Sequence, residues 1–320
     1  MPSLDYYRRI LPVYWGRGNS PLSFWHEQPT VNEPAFAADS VQYYMTFADK
    51  AKYAGPMDAD GIPLLDYRGS IGRQYNPIAI AQFGLASFNA GHHTAALKCA
   101  DWLVAELKPN MKGIPVWMHE FDWDYFKTLR APWYSGLAQG QGISLLLRAA
   151  RASGAARYQA AAERAAIALF TPIAQGGVLA VDREGDWWIE EYVVDPPTHI
   201  LNGFLWALWG VRDLLKMDCV AAKRVQIEDL WNRSLATLEK NLARFDCGYW
   251  SLYDLAPLPH ANVASPFYHR LHIVQLDVMY RITDRVVFKT WHDRWTAHLR
   301  SPLKRARAWV AKAMFKLMHY

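Results

Sequence analysis

The chain is poor in cysteine, sparing with charge and free of long apolar runs, and each shortage narrows what it can be. Its three cysteines, Cys99, Cys219 and Cys247, are odd in number, widely separated and in no metal-ligand spacing, so they read as reduced structural thiols and no metal site is expected. No segment offers about 18 apolar residues without charge, which leaves no candidate for a membrane-spanning helix. Met1 to Gly18 carries Asp5, Arg8, Arg9 and Arg17 where a secretion signal needs an uninterrupted apolar stretch, and a cytoplasmic enzyme is the expectation. Acid is missing from the C-terminal end. From Arg300 onward six basic residues (Arg300, Lys304, Arg305, Arg307, Lys312, Lys316) meet no acidic one, so the net charge of +5 belongs to the tail and the body is close to neutral. A neutral body argues against nucleic acid as a partner, because phosphate-tracking proteins carry a basic face through the fold itself.

What is abundant is apolar and aromatic. Hydrophobic residues make up 52% of the 320 and charged residues 20%, enough for a sizeable core and unlike a disordered chain. Fifteen Trp, 17 Tyr and 13 Phe fill cores and also suit stacking on the C–H faces of sugar rings.

The clearest internal signal is a repeated helix pair. Apolar helical patterns over Pro77 to Asn89, Tyr134 to Arg151, His199 to Leu215 and His272 to Ile282 each carry an early amide, namely Gln82, Gln139, Asn202 and Gln275. Each is followed by a more charged pattern: Thr94 to Leu107, Ala155 to Phe170, Ala221 to Leu242 and Phe288 to Leu299. The amides recur every 60–70 residues or so, a spacing typical of an array of like units. A helix that is apolar nearly all round must be covered on most sides, whereas an amphipathic one faces water. The pattern therefore predicts an all-α fold, an (α/α) toroid, incomplete or closed into a barrel, with inner and outer helices. The loops Gly113 to Trp117, Gly176 to Trp188 and Gly248 to Tyr253 predict short β-hairpins at the rim of an aromatic cleft. Pro196-Pro197 sets up the third inner helix, with Thr198 as its N-cap. The expected division is 1–64 as an N-terminal segment packing on the toroid, 65–299 as the toroid, and 300–320 as a basic amphipathic helix.

Three runs could carry chemistry. Trp187 to Tyr192 brings Glu190, Glu191 and Tyr192 to the end of a hairpin immediately before an inner helix. Asp246 to Leu255 places Tyr253 in a similar loop. Ser265 to Leu276 gathers Tyr268, His269, Arg270 and His272 at a helix start, with Tyr268 and His272 four apart on one face. No carboxylate completes a ligand set for the two histidines, so a metal is not expected.

Tyr75 to Leu85, Trp133 to Gln141, Glu190-Glu191-Tyr192 with Leu201 to Phe204, Leu252 to Leu255 and Tyr268-His269 together resemble the D-glucuronyl C5-epimerase family of heparan sulfate and heparosan modification, in that family's order and over about residues 65–300. The resemblance implies a toroid that binds a uronate-containing acidic polysaccharide and converts D-glucuronate to L-iduronate without a cofactor, by removing and returning the C5 proton. Carried over residue by residue, it implies catalytic roles for Glu191, Tyr192, Tyr253 and Tyr268 and a cleft position for Asn202. Tyr75, Gln82, Gln139, Glu190, His269, Arg270 and His272 complete the candidate substrate contacts.

The chemistry fits those types. A proton α to a carboxylate is a very weak acid, so inversion needs a base on one face, an acid on the other and partners for the enediolate charge. The expectation is Tyr268 facing Glu191 or Tyr192, with Tyr253 supporting the intermediate and a phenol made acidic by Arg270, His269 or His272. Two departures stand out. The β-rich domain inserted in the animal enzymes is absent here, since the segments matching its flanks are nearly contiguous. The family's arginine soon after Tyr-Asp-Leu, which meets a substrate carboxylate, is Ala256, so that carboxylate is held otherwise or the substrate differs. A lyase that expels the C4 substituent after the same first step, and a non-catalytic glycan binder, are the rival readings. The tail predicts peripheral contact with an anionic membrane or packing on the body or a second subunit, and the family's animal members make a homodimer a further expectation.

Overall fold

The apolar helices predicted from periodicity form, and they form in pairs. The structure, a computed structural model, describes residues 24–216 and 223–319; Met1 to Gly18, Cys219 and the first residues of the Ala221 pattern lie outside them. The inner helices are α1 (Pro77–Asn89), α3 (Gly136–Ser153), α5 (Leu201–Lys216) and α7 (Pro266–Thr283). Each packs on the next, and each is backed by its outer partner: α2 (His93–Glu106), α4 (Ala156–Phe170), α6 (Arg224–Asn241) and α8 (Val286–Arg300). The result is an all-α toroid. A further helix, α9 (Pro302–His319), packs against α8 and α7.

Inner helices are buried all round because their sequences let them be. In α1 every residue from Pro77 to Phe88 is buried, and in α3 every residue from Gly136 to Ala149. Side-chain caps fix where three of them start: Asn76 accepts from the amides of Ile78 and Ala79, Ser135 from Ala138 and Ser265 from Tyr268, each worth about 1 kcal/mol. The Ser265 cap makes α7 begin at Pro266, six residues before the predicted His272, so Tyr268 sits in its first turn. Thr198 is not a cap; its hydroxyl is buried without a partner among the described residues, and the Glu190 carboxylate instead accepts the amides of Thr198 and His199.

The repeated amides tie neighbouring helices together. Gln82 donates to Gln141 Oε1 at 3.0 Å across α1 and α3, and Gln275 donates to the Asn202 carbonyl at 2.9 Å across α7 and α5. Where α3 crosses α5, Gly140 and Gly210 meet backbone to backbone, with no room for a Cβ at either. Between α7 and α1 the segment 24–64 bridges the ring. His26 packs on Phe267 with ring centroids 4.8 Å apart, and Phe24 joins Leu65 and Ala79 in one apolar cluster.

Short antiparallel hairpins sit between the helices. β1 (Leu65–Asp66) pairs with β2 (Arg73–Gln74), and β3 (Lys108–Pro109) with β4 (Pro115–Val116). β5 (Met118–His119) pairs with β8 (Trp133–Tyr134) around an inner pair, β6 (Trp123–Asp124) with β7 (Thr128–Leu129). β9 (Leu179–Val181) pairs with β10 (Trp187–Ile189), the hairpin predicted over Gly176 to Trp188. Among the described residues no helix is long and apolar enough to cross a membrane.

Candidate active site

Beyond β10 the chain turns two acids to opposite duties, as adjacent residues leaving a strand face opposite ways. Glu190 faces the loop ahead of α5: besides its two backbone bonds, its Oε1 meets His199 Nδ1 at 2.5 Å. Glu191 faces a cavity of about 150 Å³. Its Oε2 accepts from Asn202 Nδ2 at 3.3 Å, and Gly203 leaves room for the carboxylate against α5. Burial pushes the Glu191 carboxyl up to about 8, with Tyr192 and Asn202 as hydrogen-bond donors pulling back and the charges of Glu190 and Asp254 adding to the rise.

Around this acid the phenols gather. Tyr192 and Tyr268 line the same cavity as Glu191, together with Gln82, Asn202 and Trp206. Tyr253 meets Tyr268 edge to face with ring centroids 4.7 Å apart, and the ring of Tyr125 lies 4.9 Å from that of Tyr192. Tyr192 and Tyr253 are both held well above the ordinary phenol range by burial, with the charge of Glu191 second. The expectation of a phenol made acidic by neighbouring cations is therefore corrected for these two: they are firmly neutral at physiological pH.

The proposed cations are also corrected. His269 is stacked on Trp250 with centroids 3.7 Å apart, bonds Ser251 and the Trp295 carbonyl, and is pushed down to about 3 by burial. His272 meets Ser251 Oγ at 2.9 Å and is likewise driven neutral by burial. Arg270 is exposed. None of the three lines the cavity, because the first turn of α7 presents Tyr268 and Leu271 to it and buries the histidines toward α8.

Three further candidate contacts also lie outside the cavity wall, each with a structural partner. Tyr75 is exposed, packs at a tilt on Trp102 and donates to Asp58 at 2.7 Å. Gln139 donates to the carbonyls of Pro115 and Ala165 and accepts from the Trp117 amide, locking β4 to α3 and α4. Glu190 holds the turn into α5, as above. Their amide and acid groups are spent within the fold.

Other cavity residues carry no motif. His26, from the bridging segment, lines the wall and touches both Phe267 and Tyr268; burial, with Lys316 and Lys50 nearby, pushes it down to about 4. Trp206 lines the cavity with a buried indole N–H that has no partner among the described residues, one helical turn from the likewise unpartnered Asn202 Oδ1. The i, i+4 spacing of Asn202 and Trp206 is the only sequence signal for this pair. Lys312 of α9 turns inward behind the cavity wall to lie 5.7 Å from the Tyr253 ring centroid, and neither of these two residues is part of that wall. Among the described residues no group of three or more His, Cys, Asp or Glu could hold a metal ion.

Fold and site together define an all-α toroid with a buried acid and several phenols in one aromatic hollow. The sequence pattern of the D-glucuronyl C5-epimerase C-terminus family matches residues 112–297, more than half the chain, and the chain belongs to that family. It is 29% identical over 218 residues to the D-glucuronyl C5-epimerase of Caenorhabditis elegans, covering 65% of this chain and 35% of that protein. It is 27% identical over 199 residues to an uncharacterized protein of Methanocaldococcus jannaschii, covering 61% of this chain and 62% of that one. The chain thus spans about a third of the nematode protein's length.

Proposed function

We propose that the protein is a cofactor-independent epimerase that inverts C5 of D-glucuronate residues in an acidic, heparosan-like polysaccharide. The observation that carries the reading is a carboxyl group raised to about 8 inside a cavity shared with the phenols of Tyr192 and Tyr268, in a chain of the glucuronyl C5-epimerase family. A free carboxylate is too weak a base for a C–H α to a carboxylate; burial makes Glu191 a stronger one with its ionisation near the working pH. Glu191 takes the C5 proton on one face, and Tyr268, lining the same cavity, returns one on the other. Tyr192 and Tyr253 stay protonated and donate hydrogen bonds to the enediolate oxygens as charge develops. The return reaction exchanges the roles of acid and base.

Solvent-deuterium exchange tests this directly. Incubated with heparosan in D2O, the enzyme incorporates deuterium at C5 and yields iduronate with no ultraviolet-absorbing unsaturated uronate. Absorbance from an unsaturated product marks a lyase, and no exchange across uronate polymers marks a binding protein.

A surface contact accompanies this reading. α9 buries Ala308 and Phe315 against the body and leaves Leu303, Val310, Met314 and Leu317 exposed on one opposite stripe. Arg300, Arg305 and Arg307 are exposed nearby, so the stripe suits an anionic bilayer surface. The full chain is expected to pellet with phosphatidylglycerol vesicles and a Leu303→Ser, Val310→Ser, Leu317→Ser variant to remain in solution. Equal pelleting of the two removes the membrane contact, and a concentration-dependent dimer abolished by the same changes assigns the stripe to a second copy.

A further inference from the structure

Lys312 lies outside the residues that match the family, on a helix whose basic residues suggest a solvated face. The fold treats it otherwise. Ala308 and Ala311 pack on the cluster of Trp250, Val263 and Ala264, and with α9 fixed that way Lys312 points into the molecule. Its Nζ donates to Asn262 Oδ1 at 2.7 Å and lies between two rings, 5.7 Å from the centroid of Tyr253 and 5.4 Å from that of Phe315. It forms no ion pair among the described residues. An ammonium has three donors, and one amide oxygen engages one of them.

Asp254, whose charge reaches Lys312 and partly offsets its burial, makes no ion pair with it among the described residues. Asp254 is buried and already accepts from Tyr125 at 2.6 Å, from Asn262 at 2.7 Å and from the Ala256 amide; burial raises its carboxyl. Burial, with Lys316 alongside, likewise pushes Lys312 down to about 7. A cation taken out of water without a counter-ion is costly, and an anionic ligand that reaches it removes that cost. The same frame reaches two of the three catalytic phenols: Asp254 follows Tyr253 in the chain, and Tyr125, bonded to Asp254, packs on Tyr192.

We propose that Lys312 of the C-terminal helix is the binding residue for a carboxylate of the uronate polymer, held beside Tyr253. The proposal rests on the epimerase reading above and adds the group that holds the substrate's charge. It also gives α9 a part in the site that its exposed stripe alone does not.

The test measures binding of the full chain, wild type and Lys312→Met, to heparosan and to carboxyl-reduced heparosan, in which each carboxylate is a hydroxymethyl group. Lys312→Met is expected to weaken heparosan binding about ten- to a hundredfold, the range for a hydrogen bond to a charged group, and to leave binding of the reduced polymer unchanged. Lys312→Arg should recover most of the loss. Thermal melting checks folding, with Lys312→Gln as the second variant should Met lower it. Undiminished heparosan binding by Lys312→Met overturns the proposal, as does an equal loss for both polymers, which marks a structural role. In either case wild-type C5 exchange stands and the epimerase reading survives; failure of the wild type to exchange C5 overturns both.

Discussion

Gly203, in the first turn of α5, lies directly against the carboxylate of Glu191, and a methyl group at 203 would overlap it. Gly203→Ala is therefore expected to swing the acid out of position. Misplacement by about 1 Å costs on the order of a hundredfold in kcat, whereas the change in stability stays small because overpacking and the better helix propensity of alanine oppose each other. Measured kcat and melting temperature separate the two, and an unchanged kcat would remove Glu191 from the catalytic geometry.

The pH dependence follows from the same acid. Glu191 acts as a base only when ionised, and burial holds its carboxyl at about 8. The kcat/KM for C5 exchange should climb about tenfold per pH unit below 8 and level off above it, and Glu191→Gln should abolish exchange. A profile flat from pH 6 to 8 contradicts the assignment.

Stability should move the opposite way with pH. Below the unfolded value of 4.5 the group is protonated in both states; as pH rises toward 8 the unfolded chain ionises and the folded one resists, so stability is lost across that window. Glu191→Gln removes this loss. Its melting temperature relative to wild type should rise between pH 4.5 and 8, and a constant difference would mean the carboxyl is not held up by burial.

Trp206 offers a buried indole N–H to the cavity with no partner among the described residues. Trp206→Phe keeps the ring and removes the donor. The KM for polymer should rise about three- to tenfold, the worth of one ordinary hydrogen bond, with kcat nearly unchanged. Identical KM values would show that the N–H meets no sugar hydroxyl.

Away from the site, Arg148 and Asp213 form a fully buried ion pair at 2.5 Å between α3 and α5, to which Tyr44 donates at 2.7 Å and from which Arg148 reaches the Gln42 carbonyl. Arg148→Ala strands a buried carboxylate and should cost about 3–5 kcal/mol by denaturant unfolding. The double change Arg148→Met, Asp213→Leu should cost far less, and equal losses would show that the pair is not coupled.

Much of this architecture is legible along the chain. α1 occupies the predicted Pro77 to Asn89, and the other helices lie within a few residues of their patterns, apart from α7, whose start a single serine side chain shifts. The hairpin before α5 forms as its alternation indicates. Missed were β1, β2 and β5 to β8, because two-residue strands carry too few positions for alternation to register, and with the latter Tyr125, which braces Tyr192. Histidines looked like cations for a phenol because a residue's charge at pH 7 is read from its type, while the charge it holds depends on what surrounds it.

By itself, then, the sequence determined the helical pairs, through the period at which apolar residues recur, and the neighbourhood of Glu191 and Tyr192, through motifs that run continuously. Only tertiary structure decided which of two adjacent glutamates meets the cavity, that His26 and Trp206 join its wall, and that Lys312 turns inward while Leu303 and Val310 stay outside. The reason is that periodicity gives the angle between the faces of a helix but not which face is covered. That choice, and every shift in acidity that burial brings, depends on atoms contributed by distant parts of the chain.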